Sequence, residues 1–210
     1  MSQYNVAIVG ATGLVGETLL SLLEDREFPV SSLIPIASER SQNKHVQFKG
    51  QNINIQVLND FNFTGVDFAF FSAGALVSEQ FAPIAAKAGA IVIDNTSQFR
   101  YQDHIPLVIP EVNPDALINF SSTNIIANPN CSTIQMLVAL QPIHQTAKIT
   151  KINVSTYQSI SGAGRKTLDI FNQQLISDDY PNSDDPMLLA HNVIPQIGEF
   201  DEDGNSIEEM

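Results

Sequence analysis

The chain has 210 residues, 43% of them hydrophobic and 16% charged, enough for one large domain or for one domain and part of a second. A net charge of −13 with no basic stripe argues against nucleic acid as a partner, and no apolar run approaches the length of a membrane span. The single cysteine leaves no internal disulfide or multi-cysteine metal site, and the first residues do not read as a secretory signal, so a cytoplasmic protein without a metal is expected.

Asn5-Val6-Ala7-Ile8-Val9 is a continuous apolar run, the pattern of a strand buried on both faces of a parallel sheet. It leads directly into Gly10-Ala11-Thr12-Gly13-Leu14-Val15-Gly16 and a helical pattern that continues to about Leu23. Glycines at 10, 13 and 16 suit a tight turn, close approach to a pyrophosphate and tight helix–strand packing. Gly10, Thr12, Gly13, Leu14 and Val15 are therefore candidate cofactor contacts.

The next apolar strand, Leu33–Ala37, ends in Ser38-Glu39-Arg40-Ser41. The end of this strand reads the adenosine ribose in such folds, with an acid for NAD or an Arg for the 2′-phosphate of NADP. Ser38, Arg40 and Ser41 favour NADP, and Glu39 is the counter-signal.

Val66–Phe71 is a further buried strand closing on Ser72-Ala73-Gly74, where small residues let a cofactor pass close to the backbone. A helix is expected over about 77–88, ended by Gly89. Ile91–Asp94 then ends in Asn95-Thr96-Ser97-Gln98-Phe99-Arg100 on the same rim, where Arg100 could hold an anion bidentately. A Pro-rich connection through Pro106, Pro110 and Pro114 leads to the strand before Asn128-Pro129-Asn130-Cys131.

Cys131 stands at the mouth of the helix that opens at Ser132-Thr133. A lone cysteine is more often a small buried hydrophobe. Here the strand–turn–helix context presents the sulfur at a strand end, where unpaired N–H groups and the helix dipole favour a thiolate. Cys131 is the candidate nucleophile.

Beyond that helix the style changes. Lys148–Ile160 reads as a long strand broken by Ser161-Gly162-Ala163-Gly164, followed by a helix over about 165–176 and a polar loop rich in Asp, Asn and Pro. Asn192–Ile197 reads as a further strand-like piece. The expected architecture is α/β: a Rossmann-like, doubly wound, mostly parallel sheet over 1–131, then the start of an α+β catalytic and dimerisation domain over 132–210. Residues 1–166 hold all ten Lys and Arg and twelve acids, whereas 167–210 hold eleven acids and no base. Apolar pieces within so one-sided a segment suggest a partner that lies elsewhere.

Taken together, Gly10–Gly16, Ser38 with Arg40-Ser41, Ser72-Ala73-Gly74, Asn95–Arg100, Asn130-Cys131-Ser132-Thr133 and Tyr157–Gly164 closely resemble aspartate-β-semialdehyde dehydrogenase, over essentially every segment from Asn5 onward. The Asn-Cys-Ser-Thr and Tyr-Gln-Ser-Ile-Ser-Gly-Ala-Gly stretches carry the specificity, because many dehydrogenases share the glycine loop. The resemblance implies an NADP-dependent reductive dephosphorylation of aspartyl phosphate to aspartate semialdehyde through a Cys131 thioester, in the biosynthesis of lysine, threonine and methionine. It implies that Asn130 and Gln158 orient substrate and intermediate, that Arg100 with Asn95 and Ser161 binds phosphate, and that Gly162 and Gly164 lie by the nicotinamide.

Family members continue past Met210 with the substrate-binding acid and Arg, the general-base His and a helix completing the cofactor domain. His45, His104, His144 and His191 do not sit in the family's His motif. The expectation is an N-terminal fragment, inactive alone, of a protein that is a homodimer when whole. A non-catalytic nucleotide-binding paralogue and another phosphate-linked aldehyde dehydrogenase are the alternatives.

Overall fold

Strand β1 (Tyr4–Val9) lies in the middle of the sheet, with Val6, Ala7, Ile8 and Val9 all fully buried. A computed structural model describes residues 3–176, 188–198 and 200–204. Contacts divide the chain into two compact units, Met1–Ile152 and Asn153–Met210.

In the first unit, β1 is followed by α1 (Leu14–Asp25), β2 (Val30–Ala37), the hairpin β3 (His45–Phe48) and β4 (Gln51–Asn54), and the short β5 (Gln56–Val57). Then come β6 (Phe68–Phe71), α2 (Ala75–Lys87), β7 (Ile91–Asp94), β8 (Ile125–Ala127) and α3 (Cys131–Thr146). The strands form a six-stranded sheet in the order β5-β2-β1-β6-β7-β8, every pair parallel, and the hairpin forms a separate antiparallel pair. This is the Rossmann-like parallel sheet that the alternation of apolar runs and helices predicts.

The continuous apolar runs are needed because both sheet faces are covered. Ala7 and Val9 face a core built with Ala69, Phe71 and Val92 and closed by Phe81, Ala82, Ala85 and Ala86 of α2. Val6 and Ile8 face the other core, made with Leu33, Leu20 and Leu23 of α1, and Val46 and Phe48 of the hairpin. Each Val, Leu or Ile so buried is worth about 1.5–3 kcal/mol. Three alanines on one face of α2 let that helix lie close to the strands, and Gly89 (φ 102°) turns the chain back into the sheet.

The second unit holds α4 (Arg165–Ile176), as expected, preceded by a short 3₁₀ turn over Ile160–Ala163. Gln174 is its internal clamp: its side-chain oxygen accepts from the backbone N–H groups of Leu189 and Ala190. Two strand expectations are corrected. Residues 148–159 and 192–197 form no strand, because a strand needs a hydrogen-bonded neighbour and neither stretch has one among the described residues. The polar loop expected after residue 176 lies outside the described residues, up to position 187.

Candidate functional site

The register of the sheet gathers the strand ends on one rim. Val9 pairs with Ile36 and Phe71, Phe71 with Asp94, and Asp94 with Ala127. Ser38, Gly10, Ser72, Asn95 and Asn128 therefore follow one another along that rim. The chain builds outward from β1 in opposite directions, to β2 and β5 on one side and to β6, β7 and β8 on the other. Such a reversal opens a crevice beyond the carboxyl ends of the two central strands.

Gly10 begins the crevice with a left-handed backbone, φ 97°, and its carbonyl accepts from the N–H of Gly13 at 2.9 Å. A Cβ on Gly10 would meet Ser72 Oγ at 2.9 Å, so its absence lets the first loop lie directly against the loop after β6. A Cβ on Gly16 would come 2.3 Å from the Gly10 carbonyl oxygen and 2.7 Å from Ala11 Cα, so only glycine seats α1 on the loop. Gly13 is the N-cap of α1 and offers no side chain to the first-turn N–H groups. That is the arrangement a pyrophosphate accepts. Thr12 and Leu14 are half-buried and Val15 is exposed beside it.

At the end of β2, Ser38 precedes a 3₁₀ turn over Glu39–Ser41. Ser38 and Arg40 are exposed, while Ser41 is buried with its N–H bonded to the Ser38 carbonyl. The Glu39 carboxylate accepts a long 3.4 Å bond from the Asn59 side-chain amide. After β6, Ser72 donates to the Val9 carbonyl at 3.2 Å, and the exposed Ala73 and Gly74 lead into α2.

The other end of the rim holds the anion-binding and nucleophile candidates. Arg100 Nε donates to the Asn128 carbonyl at 3.0 Å and its terminal nitrogen to the Asn95 carbonyl at 3.4 Å. The Asn128 side chain in turn donates to Asn95 Oδ1 at 3.4 Å. Two residues beyond Asn128, Asn130 is the N-cap of α3, its Oδ1 accepting from Ser132 N–H at 2.8 Å and Thr133 N–H at 3.4 Å. Cys131 is the first residue of the helix, exposed and unpaired with any other thiol. Asn95, Arg100, Asn130 and Cys131 thus come from two adjacent parallel strand ends.

The remaining candidates lie in the second unit. Gln158 is exposed, its amide donating to Thr156 Oγ1 at 3.4 Å. Ser159 accepts from the Ser161 N–H at 3.3 Å and from its hydroxyl at 3.0 Å. Gly164 has a left-handed backbone, φ 91°, at the point where α4 begins, and Gly162 faces open space.

Asn128 was not singled out from sequence, although it holds Arg100 and Asn95 together. The available signal was its position, first after β8, where the rim residues of every other strand lie. One hollow of about 530 Å³ sits away from the rim, against Lys87, Phe99, His104, Ile105 and Asn124, and none of the candidates lines it. Among the described residues no group of three His, Cys, Asp or Glu side chains could hold a metal, and no helix is long and apolar enough to cross a membrane.

Residues 5–120 match the family model of the semialdehyde dehydrogenase NAD-binding domain, and residues 140–210 that of the semialdehyde dehydrogenase dimerisation domain. The chain is 52% identical to aspartate-semialdehyde dehydrogenase 2 of Vibrio cholerae, over 99% of its own length and 63% of that protein, and 49% identical to the Legionella pneumophila enzyme, over 62% of that protein. It spans about two thirds or less of these curated relatives. A crystal structure of the Vibrio cholerae aspartate semialdehyde dehydrogenase II complexed with ASA superposes with a TM-score of 0.90 at 49% identity, covering all of this chain and 63% of that one. The Candida albicans enzyme with NADP superposes with a TM-score of 0.59 at 25% identity, covering 70% of this chain and 48% of that one.

Proposed function

The chain belongs to the semialdehyde dehydrogenase family, and from that premise we propose that it forms the cofactor- and nucleophile-bearing part of an NADP-dependent aspartate-semialdehyde dehydrogenase. The observation that carries the proposal is the continuous rim. The glycine loop, the anion-ready Arg100 and the exposed Cys131 at a helix start follow one another along one edge of one sheet.

The glycine loop fits a dinucleotide by a test internal to the fold: the space that Cβ atoms at 10 and 16 would fill is taken up by close backbone packing, and the α1 N-cap carries no side chain. Gly10, Thr12, Gly13, Leu14 and Val15 would hold the pyrophosphate, and Ser72, Ala73 and Gly74 would flank it. Ser38, Arg40 and Ser41 would receive a 2′-phosphate. Three features support NADP over NAD: Arg40 is exposed, Glu39 has a hydrogen-bond partner in Asn59, and the Candida albicans relative was crystallised with NADP. When bound, the reduced cofactor supplies the hydride that turns a thioester into an aldehyde.

The chain's own residues do the rest. Cys131 Sγ, as thiolate, attacks the acyl carbon of aspartyl phosphate; the C–S bond forms, the C–O bond to phosphate breaks, and inorganic phosphate leaves. Arg100, with Asn95 beside it, offers the guanidinium edge not used on backbone carbonyls to the departing phosphate. Asn130 holds the helix start that presents the sulfur. Gln158 and Ser161 would orient substrate, and Gly162 and Gly164 would leave room for the nicotinamide. The dimerisation-domain match supports a homodimer of the whole protein.

The test is mass spectrometry of the chain incubated with aspartyl phosphate, alongside calorimetric titration with NADPH and NADH. An aspartyl adduct on Cys131, lost in Cys131→Ser, with tighter binding of NADPH, is the expected result. NADPH binding with no adduct would leave a part that carries the cofactor site alone, and would remove attack by Cys131 from what this chain can do by itself.

A further inference from the structure

Among the described residues, Asp94 is the one fully buried ionisable side chain on the rim, and no step proposed above uses it. Its three hydrogen-bond donors are neutral. Ser78 Oγ, in the first turn of α2, donates to Oδ1 at 2.6 Å; Thr96 Oγ1 donates to Oδ2 at 2.8 Å; and Thr96 N–H donates to Oδ1 at 3.3 Å. Burying a carboxylate without a cation is costly, and such groups persist where the surrounding structure satisfies and fixes them.

The network leads to the candidate phosphate site in both directions. Thr96 Oγ1 also accepts from Gln98 N–H at 3.3 Å, so two successive side-chain-to-backbone turns set the path from Asp94 toward Arg100. On the other side, the Asp94 carbonyl accepts from Asn128 N–H at 2.8 Å, and the Asn128 carbonyl in turn accepts from Arg100 Nε. The Asp94 carboxylate thus sets the loop that carries Arg100, while its main-chain carbonyl holds the residue that receives the guanidinium. Ser78 ties this assembly to α2, whose N-cap, Gly74, belongs to the candidate cofactor loop.

We propose that Asp94 is a positioning residue that, through Ser78 and Thr96, fixes the guanidinium of Arg100 against Asn95 and Asn128 on the rim. The inference rests on the reading of Arg100 as the phosphate ligand. An asparagine would not substitute fully: its NH₂ would face a hydroxyl that already donates toward Oδ2, leaving one donor without an acceptor.

The experiment is ¹⁵N NMR of the complete 210-residue chain, following solvent exchange of the Arg100 Nε–H resonance, assigned by its loss in Arg100→Lys. In Thr96→Val, which keeps shape and removes the hydroxyl, this proton should exchange about tenfold faster, the loss of roughly one good hydrogen bond. Thr96→Ser should restore the parent rate, and the backbone N–H of Ile8 in β1 should be unchanged in both. Asp94→Asn should show the same acceleration as Thr96→Val. Exchange at Arg100 within twofold of the parent in Thr96→Val would overturn the proposal. So would equal acceleration at Ile8, since the effect would then be global loosening. A titration with inorganic phosphate separates this result from the functional reading: absence of a phosphate-induced shift at Arg100 refutes Arg100 as a phosphate ligand, while exchange alone decides the role of Asp94.

Discussion

The Nε of Arg100 donates to the carbonyl of Asn128 at 3.0 Å, joining residues 28 apart in sequence and belonging to two neighbouring strand ends. Asn128 begins the Asn-Pro-Asn turn that delivers Cys131 to its helix, so the candidate phosphate ligand and the candidate nucleophile share one backbone support. Arg100 spends two of its donors on carbonyls, and the planar fork holds the rest in a fixed direction.

Replacing Arg100 with Lys should therefore weaken phosphate more than a conserved charge would suggest. Lysine keeps the positive charge but cannot bond two carbonyls and a bidentate anion together. The expected loss is about 10- to 100-fold in the apparent affinity for phosphate, the range for a charge-assisted hydrogen bond. Phosphate titration followed by NMR checks it, and an unchanged affinity would remove Arg100 from the site.

Asn130 tests the helix start. Its side chain accepts from two first-turn N–H groups, so Asn130→Ala should cost about 1 kcal/mol in urea unfolding. Because Cys131 is the next residue, the loosened turn should also slow alkylation of its thiol by iodoacetamide at neutral pH. Asn130→Asp, which can still cap, should recover the stability. Alkylation of Cys131 in the parent no faster than that of a free thiol would remove the case for an activated sulfur.

Two glycines should respond very differently to alanine. At Gly16 the new Cβ would press on backbone atoms at 2.3 and 2.7 Å, which can yield only by shifting the loop from α1. Gly16→Ala should destabilise the chain by about 1–3 kcal/mol and abolish NADPH binding. At Gly162 a Cβ meets nothing within 4 Å and φ is not left-handed, so Gly162→Ala should stay within about 0.5 kcal/mol of the parent. Paired denaturation curves decide between them.

The sheet and the rim were legible because double-faced burial leaves an unbroken apolar run, and a rim residue is simply the next one along. The helix over 165–176 was legible too, but Lys148–Ile160 was misread as a strand because it has the composition of one and no neighbour to pair with among the described residues. The β3–β4 hairpin passed unnoticed among its Gln, Asn and His residues. Its signals were the alternation that buries Val46 and Phe48 and the two-residue turn at Lys49-Gly50, both with positive φ. Asp94 was read only as a strand end; its role depends on Ser78, which the fold alone brings within 2.6 Å.

Cofactor choice is the remaining point that one side chain can decide. Arg40 is exposed at the end of β2, and Glu39, the acid that would favour an unphosphorylated ribose, is bonded to Asn59. Arg40→Ala should raise the Kd for NADPH about 10- to 100-fold, the worth of a charge-assisted bond to phosphate, and leave that for NADH almost unchanged. Asn59→Ala should act in the other direction, freeing the Glu39 carboxylate and improving NADH binding relative to NADPH. Calorimetric titration of both variants with both nucleotides measures the two effects. Equal losses for NADPH and NADH in Arg40→Ala would mean that Arg40 touches the shared part of the cofactor, and the 2′-phosphate would need another ligand on the rim.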